Sequence, residues 1–396
     1  MSDQTNQSLA PSKPRPWKNP RVHGWVAQIT LLLGVVLFFA YIFHNTQVNM
    51  QAHGISTGFS FLSQPAGFGI IQSLIPYTPA STYGRTFLVG LLNTVMISVL
   101  GIFFATIVGL IIGLARLSHN WLIAKLAAIY IETFRNIPLL LQVFFWYFAV
   151  VETMPSPRQS LHIGDVIFLN IRGVYLPEPV FGPGSGFILG ALILAIIAVI
   201  FIKRWAHNRQ MRTGQQFHTV WVSLGILILL PLLTFFAVGA PLTWSLPKLQ
   251  GFNFTGGLAV IPELTALVIA LTIYTASSIA EIVRSGILSV SHGQTEAASS
   301  LGLKRGHVMR LVVLPQALRV IIPPLTSQYL NLTKNSSLAT AIGYPDLVNV
   351  FAGTTLNQTG QAVVIIAMTM GVYLSISLLI SLFMNWYNHR KRLIER

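Results

Sequence analysis

The chain has 396 residues, of which 9% are charged, 53% hydrophobic and 11% aromatic, with a mean hydropathy of +0.66. Soluble proteins carry about 25% charged residues, so this composition excludes a soluble enzyme, a disordered chain and, with no cysteine, a disulfide-stapled domain or a thiolate metal site. The 25 Lys+Arg against 10 Asp+Glu give a formal charge of +15, whose placement decides between a nucleic-acid partner and a membrane topology signal.

Residues 1–24, rich in Pro, Ser, Asn and Gln, read as a disordered cytoplasmic tail. Apolar runs of about 20 residues cross a bilayer as helices. Eight occur, over 25–43, 86–115, 127–151, 187–202, 219–240, 264–283, 311–332 and 363–386. They are continuous rather than alternating, which excludes a barrel. The expected fold is therefore all-α, an integral membrane protein of eight transmembrane helices. The first run is too long for a cleavable signal peptide, and no small-x-small site follows Phe43, so it reads as an anchor helix.

The basic residues sort by loop. Lys13, Arg15, Lys18 and Arg21 precede span one; Arg116, Lys125 and Arg135 lie between or near spans two and three. Lys203, Arg204, Arg209 and Arg212 follow span four, Arg284, Lys304, Arg305 and Arg310 follow span six, and Arg390, Lys391, Arg392 and Arg396 follow span eight. The opposite loops hold only Arg85, Arg158, Arg172, Lys248 and Lys334. The positive-inside rule puts both termini in the cytoplasm, which an even number of spans also requires, and the charge excess needs no nucleic acid.

Span two carries Gly109 and Gly113, a small-xxx-small pair suited to close helix packing. In span three, Glu132 and Arg135 lie three apart and can pair, Pro138 loosens the backbone, and Asn136 and Gln142 suit interhelical or substrate hydrogen bonds. Span six offers Tyr274, Thr275, Ser277 and Ser278, then Glu281 and Arg284 as a second three-apart pair. Span seven holds Arg319, Pro323, Pro324, Gln328 and Asn331 and ends in Lys334-Asn335-Ser336. Intramembrane polar groups either join helices or line a pathway. A pathway for a charged or polar solute needs donors such as Arg319 or Lys334 and acceptors such as Asn335 or Ser336. The candidate pathway set is thus Asn136, Gln142, Tyr274, Ser277, Ser278, Arg319, Gln328, Asn331, Lys334, Asn335 and Ser336. The histidines show no metal-ligand spacing.

Between spans six and seven, residues 294–301 suit a short cytoplasmic helix. Thr295, Ala297, Ala298, Ser299 and Ser300 are small enough for close approach by another protein, Glu296 suits the helix start, and Gly302 suits a left-handed cap. Leu303 and Val308 begin an amphipathic stretch leading to Leu314-Pro315. From these residues alone, the stretch is a docking element or an ordinary connecting loop.

Glu296-Ala297-Ala298, Gly302 and Leu314-Pro315 resemble the EAA motif of the membrane subunits of ABC importers, the MetI-like fold. Residues 130–142 and 270–286 resemble the polar amino-acid (HisM/HisQ) permeases. The extra first span, the long loop after span three, the inserted hairpin and residues 58–68 resemble the AapQ/BztB type of general L-amino-acid permease subunit.

The resemblance covers nearly the whole chain and implies a permease domain over 86–388. Its five-helix core would be spans two, three, six, seven and eight, with an inserted periplasmic loop over 152–186 and an inserted helical hairpin over 187–240. Residues 289–310 become the coupling loop, with Glu296, Ala297, Ala298, Ser299, Gly302 and Leu303 docking an ATPase subunit.

It further implies a bacterial inner-membrane location and an ATP-binding subunit dimer as partner. A second, similar permease and a periplasmic amino-acid-binding protein complete the complex. The chain lacks Gly-x4-Gly-Lys-[Ser/Thr], so ATP and Mg²⁺ belong to the partner and no cofactor is expected on this chain. A secondary transporter would want coupling carboxylates deep in the membrane, whereas the acidic residues here lie at span edges or in loops.

Overall fold

The computed structural model describes residues 20–52 and 58–390. In chain order it contains α1 (Pro20–Ala52), α2 (Tyr83–Arg116), α3 (Trp121–Asn136) and α4 (Leu139–Phe144), the last continued by a π-helix (Phe145–Val151). Strands β1 (Leu161–Ile163), β2 (Ile167–Asn170), β3 (Gly173–Leu176) and β4 (Glu178–Phe181) follow, then α5 (Ser185–Thr213) and α6 (Thr219–Ala237). Strands β5 (Leu242–Ser245), β6 (Lys248–Gln250), β7 (Asn253–Thr255) and β8 (Leu258–Val260) lead into α7 (Pro262–Leu288). The chain closes with α8 (His292–Ser300), α9 (Arg305–Val308), a π-helix (Met309–Val313), α10 (Leu314–Asn335), a 3-10 helix (Ser336–Ile342), a π-helix (Val348–Thr355), α11 (Leu356–Thr359) and α12 (Ala362–Arg390).

Among the described residues seven helices are long and apolar enough to cross a membrane; the α3–α4 pair adds an eighth only if its 106° bend is counted within one span. The span expected over 127–151 is therefore broken at Ile137–Pro138, where the sequence already placed a loosened backbone. Pro138 supplies no N–H, and Ile137 before it is extended. The buried Gln142 amide bridges the break, donating to the carbonyls of Phe134 and Ile137 at 3.0 Å each. Helix α1 starts at Pro20, so residues 20–24 of the expected tail are helical, and the rest of that tail lies outside the described residues.

The core is built on α2 and α7. Along α2 the buried positions Gly90, Asn93, Ile97, Gly101, Ala105, Gly109 and Gly113 recur at three or four residues, one stripe of the helix. The facing side of α7 is equally small, with Ala270, Ala276, Ser277 and Ala280 buried. A Cβ on Gly109 would sit 2.7 Å from Ile279 Cβ, and one on Gly113 would sit 2.8 Å from the Ala280 carbonyl. The small-xxx-small pair therefore brings the two backbones into contact. Helices α3, α10 and α12 complete this assembly. By contrast α5 and α6 pack chiefly on each other, and every described side chain of α1 from His23 to Asn49 is exposed.

The all-α expectation fails in the two stretches flanking α5–α6. Strands β1-β2-β3-β8 form an antiparallel sheet, with β4–β5 and β6–β7 as separate antiparallel pairs. Phe168, Tyr175 and Phe254 make its small core, with ring centroids 4.6–4.7 Å apart. Gly173, at φ 122°, is required where β3 meets β8, because a Cβ there would lie 2.0 Å from the Val260 carbonyl. The sheet runs straight into α7, so this β insert and α8 sit at opposite ends of a helix about 40 Å long.

Gly109→Val and Gly113→Val each force α2 from α7. Each is expected to destabilise the detergent-solubilised protein by about 1–3 kcal/mol, read as a lower midpoint in a thermal melt, whereas Gly190→Val on α5, where nothing lies within 4 Å, leaves it unchanged.

Candidate functional site

The short helix expected over 294–301 forms as α8, His292–Ser300. Thr295, Ser299 and Ser300 turn their hydroxyls back onto the carbonyls of His292, Thr295 and Glu296 at 2.7–3.0 Å, leaving a nearly uncharged outer face. Gly302 takes the left-handed conformation at φ 77°. Its N–H reaches the Ser299 carbonyl and the Leu303 N–H reaches Ala298, a Schellman cap as the sequence suggested.

The candidate docking residues divide by facing. Glu296, Ala297, Ser299 and Gly302 are exposed, and Glu296 accepts from His292 Nδ1 at 2.9 Å. Ala298 is buried against Val308 and Val313, with Leu303, Ile287 and Val290 around them, so Ala298 and Leu303 seat the helix rather than face outward. Leu301, which sequence reasoning passed over, is 82% exposed and is the large apolar side chain on the outer surface. Its signal was the position just before the capping glycine, where a side chain points away from the helix. Arg305 also reaches across to His119, tying this loop to the α2–α3 turn.

A cavity of about 310 Å³ opens between α3, α7 and α10, lined by Arg135, Ser278, Glu281, Ser285, Val320, Pro324 and Gln328 among others. Glu281 and Arg284 pair at 2.6 Å as expected, and Ser285 donates to the same carboxylate at 3.3 Å. Glu132 and Arg135 form no ion pair; Arg135 instead shares the cavity with Glu281. The site thus presents a guanidinium, a carboxylate, hydroxyls and an amide around a space suited to a small zwitterion.

Only Ser278 and Gln328 of the candidate pathway set line this cavity. Lys334 lines a second one, about 470 Å³, with Ser337, Thr369 and Tyr373. Ser277 and Ser336 are buried and donate to the carbonyls of Tyr274 and Thr333. Gln142 closes the α3–α4 break, and exposed Asn136 donates to the Glu132 carbonyl. Tyr274, Arg319 and Asn335 are half-buried, and Asn331 is exposed.

A polar cluster not singled out in the sequence lies between the spans, beyond α10. Asp346 is fully buried. Its carboxylate accepts from the Asn349 N–H at 2.8 Å, Thr340 Oγ1 at 3.2 Å and Tyr373 Oη at 3.3 Å. Beside it Thr94 accepts the Leu347 N–H, and Asn93 donates to the carbonyls of Gln72 and Pro345. The carboxylate thus ties the 336–355 segment to α12, and Asn93 and Thr94 tie α2 to the same segment through the Pro345 carbonyl and the Leu347 N–H. The sequence signal was an acid three residues before Asn349, in capping position. Burial pushes the Asp346 carboxyl up from 3.8 to about 6, against the lowering effect of the Asn349 N–H and its other donors.

A family model described as "Binding-protein-dependent transport system inner membrane component" matches residues 213–393. The chain is 55% identical over 378 residues, 96% of each chain, to the "Putative amino-acid ABC transporter permease protein YhdX" of Escherichia coli (strain K12). This chain belongs to the amino-acid ABC transporter permeases. It is also 53% identical, over 96% of its length and 94% of the relative's, to the "General L-amino acid transport system permease protein AapQ" of Rhizobium johnstonii. Identity to the "Glutamate/glutamine/aspartate/asparagine transport system permease protein BztB" of Rhodobacter capsulatus is 44% over 93% of each chain. These matches carry the resemblance read from the EAA-like motif.

Asp346 gives a signed pH effect. The folded state holds this proton more tightly than the unfolded state, so stability is greatest below the unfolded value near 4. It falls by about 3 kcal/mol as pH rises past the folded value near 6. Asp346→Asn is expected to flatten this part of the stability–pH curve in detergent melts; an unchanged slope would assign it to another group.

Proposed function

We propose that this permease subunit translocates polar or general L-amino acids delivered by a periplasmic binding protein, driven by a separate ATPase that docks on α8. The observation that carries the reading is the identity, over almost the whole chain, to amino-acid permeases, joined to an exposed, capped α8 in the EAA-like segment. Exposed Glu296, Ala297, Ser299, Leu301 and Gly302 form the docking face, while Ala298 and Leu303 fix its seat.

In this reading the chain sits in the bacterial inner membrane with α8 and both termini cytoplasmic and the β insert outside. The bent α3–α4 pair counts as one of eight spans. Helices α2, α3–α4, α7, α10 and α12 form the MetI-like core, and α1, α5 and α6 are additions. A second, similar permease completes the pathway, and ATP with Mg²⁺ is bound by the ATPase subunits.

The cavity between α3, α7 and α10 is the proposed substrate station. Arg135 serves the α-carboxylate and Glu281, held by Arg284, serves the ammonium. Recognition through groups that every α-amino acid carries leaves the side chain weakly read, which fits a broad substrate range.

Reconstitution with the ATPase, the second permease and the binding protein, followed by an uptake panel of amino acids, tests the function. Failure to take up any amino acid would overturn it. Glu296→Lys and Leu301→Glu are each expected to leave insertion intact and to abolish ATPase copurification or its coupling to uptake. Arg135→Gln, with the ATPase still attached, is expected to cut uptake about tenfold, the worth of one charge-assisted hydrogen bond. Unaltered uptake would remove Arg135 from the site.

A further inference from the structure

The helical hairpin α5–α6 has a feature that translocation does not use. Apolar residues fill α5 up to Ile202, and then Lys203, Arg204, His207, Arg209 and Arg212 follow within its last turns. No Asp or Glu occurs between Glu178 and Glu263. Neither of the two ion pairs among the described residues involves these cations.

The chain then doubles back. Gly214 adopts φ 69°, and its N–H closes on the Gln210 carbonyl. Phe217 packs edge-on against Trp205 at 5.3 Å, and Arg209 donates to Gln215 Oε1 at 2.9 Å. The contact of residue 217 with residue 205 means that Thr213 projects about 12 Å beyond Trp205 along the helix axis, at about 1.5 Å per residue. Trp205 and Trp221, both exposed, mark the interfacial level from which this knuckle rises. Arg209 lies back toward it, 5.5 Å over the Trp205 ring.

We propose that this knuckle is a binding site for the anionic phospholipid headgroups of the cytoplasmic leaflet, which rests on the proposed topology that puts the α8 side in the cytoplasm. Ser185 adjoins the β insert through β4, so the far end of a spanning α5 emerges on the α8 side. At about 100° per residue, the five basic positions ring the helix instead of sharing one face. A docked protein needs one face; a leaflet surrounds the helix. The spacing also suits headgroups, because Lys203 and Arg204 stand at the end of the apolar run. Arg209 and Arg212 lie about 6–10 Å beyond Trp205, within or near the headgroup layer and about one Debye length.

The chain has no cysteine, so Met211→Cys, at a position 76% exposed, places a single spin label on the knuckle. The full-length chain is reconstituted in nanodiscs of phosphatidylcholine alone or with about one-third phosphatidylglycerol. The expected result is at least a twofold fall in accessibility of the label to a neutral, water-soluble nickel chelate in the anionic discs, abolished by about 0.5 M salt. Adding Lys203→Gln, Arg204→Gln, Arg209→Gln and Arg212→Gln removes the difference, and replacing only the arginines by Lys retains it. Equal accessibility in both lipids, or an unchanged response in the Gln variant, overturns the proposal. So does protection that arises in neutral lipid only when the ATPase subunit is added, which would make the knuckle a protein contact. A maleimide reagent applied to either side of sealed membranes separates the two readings. Reaction from the periplasmic side overturns the topology, whereas reaction from the cytoplasmic side with no lipid effect overturns the headgroup site alone.

Discussion

The close approach of α2 and α7 is the constraint on which the other elements depend. In hydrocarbon there is no hydrophobic drive between helices, so association rests on how closely backbones can meet. Gly109 and Gly113 remove the side chains that would hold the helices apart, and Ile279, Ala280 and Val283 fill the space. Once α7 is fixed against α2, both of its ends are fixed too. One end receives β8 and with it the whole β insert; the other leads within four residues into α8. Two features that look independent in the sequence are opposite ends of a single buried rod.

Polar groups in this assembly do two kinds of work. Gln142, Ser277 and Ser336 satisfy backbone carbonyls that a bend or a packed helix leaves available, and Asp346 gathers three donors, from Thr340, Asn349 and Tyr373, that tie the 336–355 segment to α12. These are internally consumed. Arg135, Ser278, Glu281 and Gln328 instead open onto a common space. The distinction follows from hydrogen-bond accounting: a buried polar group must find a partner, and one lining a cavity can find it in a ligand.

Much of the architecture was legible because membrane helices announce themselves by length and hydropathy, and because the glycine pair of α2 and the capping Gly302 have one physical role each. The strands were not legible, since runs of three or four residues such as Leu161–Ile163 are too short to show a period. The α3–α4 bend was half visible: Pro138 signalled a weakened backbone, but its size depends on Gln142 capping the break. Span-depth reasoning ranked polar residues by position and missed facing. It therefore grouped Ser277, turned onto its own helix, with Ser278, one residue on and in the cavity wall. Asp346 escaped because a loop acid looks solvated until the tertiary fold closes over it.

The placement of α8 gives the proposed transport cycle a mechanical basis. Ala298 packs with Val308 and Val313, and Ile287 at the end of α7 joins the same cluster. The cavity walls lie on α7, which carries Ile287, and on α10, into which the π-helix carrying Val313 continues: Glu281 and Ser285 on α7, Val320 and Gln328 on α10. In the proposed cycle a displacement of α8 by a docked ATPase would act on both walls through this packed cluster. The π-helix at Met309–Val313 stands where α9 becomes α10. Its wider turn gives that junction a different hydrogen-bond register from α7, which joins α8 through the short turn at Ser289–Ser291. In the proposed cycle a push on α8 would therefore reach the α7 wall through that short turn and the α10 wall through the π-helix, two junctions of different hydrogen-bond geometry.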